Sequence, residues 1–132
     1  MSNTLIRESL IASSDEDMER LHASIVAGFD PDRNFVILME KVRDNTGDPF
    51  RNERDGRTER ILTKAILDKE NTNLLCDKLH TSLLDLPEAV WQEFGDNWPS
   101  YRPSEIESIF KKMTDFLVDN GCRFNVMTVK PD

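Results

Sequence analysis

The sequence predicts a mainly α-helical domain, a compact bundle of five to six helices with at most a small C-terminal β element; an α+β arrangement is the alternative. Three observations predict it: repeated helix-start chemistry, apolar residues at helical spacing, and glycines just past several apolar runs.

Residues 1–12 are ambiguous. Leu5, Ile6, Leu10 and Ile11 suit a short helix, a strand or an N-terminal docking arm. Ser13-Ser14-Asp15-Glu16-Asp17 reads as a helix start, because the hydroxyls accept from orphan backbone N–H groups and the acids suit the positive helix end. Met18, Leu21, His22, Ile25 and Val26 follow the helical period, and Gly28 reads as the stop. Asp30-Pro31 looks like a second start. It precedes Phe35, Leu38, Met39 and Val42 on one helical face. The run Phe35–Met39 is continuously apolar, as a buried strand also is; the cap chemistry tips residues 34–39 toward helix.

Residues 44–57 form a long polar loop, expected to be mobile. Thr58 then caps a helix with Ile61, Leu62, Ala65 and Ile66 on its face. Asn71-Thr72-Asn73 reads as a break before a helix carrying Leu75, Cys76, Leu79 and Leu83. A short helix follows Asp85-Leu86-Pro87, with Val90, Trp91 and Phe94 inward and Gly95 ending it. Ser104-Glu105-Ile106-Glu107 reads as a capping box. It opens the clearest helix, with Ile106, Ile109, Phe110, Met113, Phe116 and Leu117 on one stripe. Residues 124–129 alternate and read as a strand, for which residues 4–11 or 34–39 are the candidate partners.

The 132 residues make one domain, 1–132, large enough to bury a core without staples. No run approaches the roughly 20 apolar residues of a membrane span, so no membrane partner is expected. Two cysteines, Cys76 and Cys122, are expected as free thiols in the cytoplasm, with Cys122 the faster to react. The net charge is −8, spread as −5 over residues 1–40, +2 over 41–69, −6 over 70–119 and +1 thereafter. An acidic surface opposes direct nucleic-acid binding, because counterion release needs clustered cations.

No catalytic or cofactor motif is present: no glycine-rich phosphate loop, no serine elbow, no Cys/His pair with family spacing. Asp30-Asp32-Asn34 starts like a calcium loop, but Phe35 and Lys41 stand where glycine and glutamate belong. Cys76 and His80 give two metal ligands where zinc needs more. No metal, no cofactor and no enzymatic activity are therefore expected.

Two features stand out. Arg51, Arg54, Arg57 and Arg60 recur every three residues and suit an anion, although Glu53, Asp55 and Glu59 lie among them and can pair locally. Trp98 and Tyr101, stiffened by Pro99 and Pro103 and flanked by Arg102, suit a partner-binding site, or else close the core. In general character the chain resembles small acidic helical proteins that bind larger macromolecules, such as immunity proteins, adaptors, secretion chaperones and inhibitors. The resemblance is one of composition and rests on no particular residues. The expected function is that of a small acidic non-enzymatic protein that binds and regulates a larger protein. A nucleic-acid-mimicking inhibitor of a basic protein and a small enzyme without a local signature are the alternatives, and self-association stays open.

Limited trypsin digestion is expected to cut after Arg51, Arg54 or Arg57 before any other internal site. First cleavage within the Trp98 segment instead, read with a protease of broad specificity run in parallel because trypsin does not cut Arg102-Pro103, would reverse the ranking of the two loops.

Overall fold

The apolar residues of 21–44 satisfy two periods at once, and burial chooses between them. In a computed structural model, which describes residues 5–14, 21–44, 58–95 and 102–130, the chain runs β-β-β-β-α-α-α-β. The strands are β1 (Ile6–Ser13), β2 (Leu21–Phe29), β3 (Phe35–Asp44), β4 (Thr58–Leu67) and β5 (Asn125–Val129). The helices are α1 (Lys69–Leu79), α2 (Leu86–Phe94) and α3 (Pro103–Asp119). All five strands form one antiparallel sheet in the order β1-β2-β3-β4-β5. The expected five-to-six-helix bundle is therefore replaced by a sheet-rich α+β fold, and the three helices expected before Gly28, after Asp30-Pro31 and after Thr58 give way to β2, β3 and β4.

The reason is visible residue by residue. Along β2, Ala23, Ile25, Ala27 and Phe29 are all buried on one face, a period of two. Along β3, Phe35, Ile37 and Met39 share that face, while Val36 and Leu38 are buried on the other. A strand buried on both sides reads as an unbroken apolar run, which helical spacing also fits. In β4 the supposed helical face divides. Ala65 and Leu67 join the main core, and Leu62 and Ile66 join the opposite one.

The cap chemistry misled for a related reason. Asp30 does accept backbone N–H bonds, from Asp32 and Asn34 at 2.9 Å each, but the turn it closes is the β2–β3 hairpin. Aspartate with a following proline suits a tight turn as well as a helix start, because both need a side-chain acceptor beside a fixed φ. Ser14 likewise binds Ala23 across the β1–β2 pair, through its backbone N–H at 2.7 Å and its hydroxyl at 2.8 Å.

The helical half follows the sequence more closely. In α1, Asp68 is the cap and accepts the Asn71 backbone N–H at 2.9 Å. The helix thus starts before the expected break and ends at His80, which takes a φ of 54°. Leu83, expected on its buried face, lies beyond it and is exposed. In α3, Glu105 accepts the Arg102 backbone N–H at 3.1 Å, so Arg102 rather than Ser104 is the capped residue. Ile106, Phe110, Met113 and Leu117 are buried, and Phe116 is half-buried edge-on against Phe94, with ring centroids 5.3 Å apart.

All three helices cover one sheet face: α2 lies over β1 and β2, α3 over β2 and β3, and α1 beside β4. Small side chains at Ala12, Ala23, Ala27 and Ala65 let them approach. Lys41 of β3 pairs with Glu107 of α3 at the rim of that layer. β5 returns from the helices to pair with β4, from Leu62↔Val129 to Ile66↔Asn125, and not with either strand candidate weighed above. Residues 5–11, left open between three readings, lie largely within β1, which is paired to β2. The polar loop lies outside the described residues beyond Asp44.

Gly28, taken as a helix stop, is a strand residue opposite Val36. A Cβ there would sit 2.9 Å from the Ile6 carbonyl oxygen and 2.9 Å from Leu5 Cβ. Gly28→Ala should therefore push β1 outward and cost about 1–3 kcal/mol. A lower urea midpoint at unchanged m value would report it, and an unchanged midpoint would show that β1 yields freely.

Candidate binding site

Where α1 begins and α3 hands over to β5, the chain leaves a cleft of about 710 Å³. Asn71, 9% exposed, forms its floor. Its side-chain N–H donates to Asp68 at 2.9 Å, and its oxygen accepts the Arg123 backbone N–H at 2.8 Å. One amide thus fastens the start of α1 to the entry of β5. The backbone and side-chain N–H groups of Asn71 favour the ionised Asp68, in that order, and hold its carboxyl below the ordinary aspartate value. Thr72 supports the same corner: its hydroxyl donates to the Leu67 carbonyl at 3.1 Å and accepts the Phe35 N–H at 3.4 Å.

The cleft's carboxylates are Asp68, Glu70 and Asp77, and Arg123 and Phe124 line it from the α3–β5 side. Its described lining holds no serine, threonine, cysteine or histidine. Such a surface offers carboxylates, amides and a guanidinium to a polar ligand.

Beside the cleft runs β5, all five of its residues exposed. By register, Met127 and Val129 share the face of Lys64 and Leu62, and Val126 shares that of Ala65. Exposure is 56% at Val126, 50% at Met127 and 36% at Val129. The outer edge of β5 has no strand beside it among the described residues.

The opposite edge is protected. β1 has two register shifts, between Ile6 and Ser9 and between Leu10 and Ala12. Arg7 takes a φ of 54°, and its Nε donates to the Leu84 carbonyl at 3.3 Å, bringing the α2 entry against the strand. Bulges, a twisted backbone and a covering element are the standard means of blunting an edge. Among the described residues β5 has none of these three.

The sequence-derived candidates fall elsewhere. Arg102 is exposed at the head of α3. Trp98 and Tyr101 lie outside the described residues, as do Arg51, Arg54 and Arg57. Arg60, on β4, pairs with Glu40 of β3. The structure does not bring Arg102 and Arg60 together with the cleft. Trp91 and Phe94, expected in the core, are partly buried against it.

One contact was hidden by the helical reading of residues 14–28. Ser13 Oγ and His22 Nε2 meet at 3.1 Å across the β1–β2 hairpin. Strand pairing alone brings these residues together, and the bond ties the hairpin's end. The cleft and the β5 edge were equally missed, although the alternation of residues 124–129 did signal the strand.

The fold and this site define a sheet-rich α+β domain: among the described residues, an antiparallel sheet backed by three helices, with the β5 edge uncovered beside a polar cleft. The chain matches no protein-family model, no curated protein and no solved structure with which it was compared.

Cys76 and Cys122 are both free and buried. Burial pushes both thiols up; Asp77 adds to this at Cys76 and Lys78 opposes it at Cys122. The expected faster reaction of Cys122 therefore loses its basis. Both thiols should react slowly with a disulfide reagent until the chain is unfolded. A raised thiol pKa stabilises the fold below the ordinary value of 9.0, and that contribution is lost as pH rises beyond it. Urea midpoints should fall between pH 8 and pH 10, and less so in a Cys76→Ser/Cys122→Ser chain when each is compared with its own pH 8 value.

Proposed function

We propose that this chain is a non-enzymatic protein-binding domain that regulates a larger protein by accepting one of its extended segments as a sixth strand on β5. The exposed, regular edge of β5 carries the reading. Its register with β4 is unbroken over five residues, and its side chains at Val126, Met127 and Val129 are apolar and uncovered. Main-chain groups on such an edge bond an incoming strand, while side-chain contacts select it. The protected state of β1 adds weight, because the two edges of one sheet are treated so differently. The acidic composition suits a soluble regulator, and two free buried thiols suit the reducing cytoplasm. Among the described residues no helix is long and apolar enough to cross a membrane. Trp98, Tyr101 and Arg102 are proposed as a secondary contact on the same partner.

Consecutive strand residues point their backbone N–H groups to opposite edges. Of Val126→Pro and Met127→Pro, one removes a bond to β4 and the other only an outward donor. The variant with unchanged melting temperature is expected to lose a partner that the unaltered chain captures from its native host. Full capture by that variant would exclude β5 as the docking edge. Trp98→Ala, run alongside, reports on the secondary contact.

A further inference from the structure

The cations around β5 say what kind of segment it accepts. Arg123 stands two residues before the strand and Lys130 directly after it. Lys64 lies on β4 opposite Met127. None of the three has an ion-pair partner among the described residues, which is equally true of cations elsewhere such as Lys69 and Lys112; what sets these three apart is their place beside β5. A chain of net charge −8 thus places positive charge at both ends of the edge that is uncovered among the described residues.

We propose that the occupant is an extended segment of another protein, apolar at alternate positions and carrying one acidic residue near each end. This rests on the strand-addition reading and specifies its ligand. Arg123 and Lys130 are seven residues apart, roughly 23 Å along an extended chain, so the two acids should be separated similarly. Apolar residues between them meet Met127 and Val129. Beyond Arg123 the carboxylates of Asp68, Glu70 and Asp77 line the cleft, which disfavours a longer acidic run at that end. A single acid meets Arg123, and a neutral or basic residue follows it.

A second copy of this chain fits less well. Pairing β5 with itself about Met127 sets Lys130 of each copy opposite Phe124 of the other, with no acid to meet either cation, and brings together two bodies of net charge −8. A five-residue edge also buries on the order of a few hundred Å², against the ~1,000 Å² of a specific interface. A flexible segment that continues into the cleft extends the contact; a second rigid copy does not.

The test uses the full chain, labelled for NMR, and three eight-residue peptides. They are Glu-Thr-Val-Thr-Val-Thr-Val-Glu and the same sequence with Gln or Lys at both ends. The Glu-ended peptide should shift the β5 amides and bind about three- to tenfold tighter than the Gln-ended one, with the Lys-ended peptide weakest. Arg123→Glu combined with Lys130→Glu should reverse that order. Equal binding of all three on β5 would overturn the acidic occupant and leave strand addition standing. No shift on β5 with any peptide would overturn both. Concentration-dependent dimerisation, with β5 amides protected in the dimer, would overturn the heterologous occupant in favour of a second copy.

Discussion

Strand β3 carries apolar side chains on both faces, and its register between β2 and β4 sets the positions of most other elements. Phe35, Ile37 and Met39 must face the helices while Val36 and Leu38 face away. A one-residue slip against either neighbour would exchange the two sets. The register aligns Ala23, Ala27 and Ala65 beneath the helical layer, where larger side chains would hold α3 and α2 off the sheet. It also sets the end of β4, and with it the point at which Asp68 turns the chain into α1.

From that corner the helices travel away from β4 and return to it. Asn71 makes the return specific, since it bonds Asp68 at one end and the Arg123 backbone at the other. β5 therefore arrives at β4 already anchored, and its five residues complete the sheet with no covering element among the described residues. The two edges differ in consequence. β1 is bulged and has the α2 entry against it, whereas β5 is regular and exposed. A regular edge with apolar side chains is a liability in a soluble protein unless something occupies it. That asymmetry, together with the cations beside β5, gives the proposed function its physical basis.

Parts of this were legible in the residues. The stripe of α3, the proline-led start of α2 and the alternation before Lys130 each point to the element observed. Local chemistry was read correctly at Asp30, which does accept backbone N–H groups, whereas the capping box expected from Ser104 to Glu107 falls at Arg102 and Glu105 instead. The site was not legible. Asn71 and Arg123 are 52 residues apart, and Ser13 and His22 belong to different strands. No spacing rule connects such pairs, because their meeting depends on strand pairing and on where α3 ends. Trp98 and Tyr101 drew attention as aromatics between prolines, while the strand edge drew none, since an edge is a property of the sheet and not of its residues.

By itself the sequence determined the acidic charge, the two helices α2 and α3, the terminal strand and the capping role of Asp30, which it assigned to a helix start. It favoured a helical period for residues 21–28 and 58–67 and left helix and strand both open for 34–39, because the apolar residues there satisfy periods of two and of 3.6. Only the tertiary structure decided that, and the physical reason is two-sided burial. Once β2, β3 and β4 lie side by side, each apolar residue finds a core on its own face, an outcome that a helix with one buried stripe could not provide.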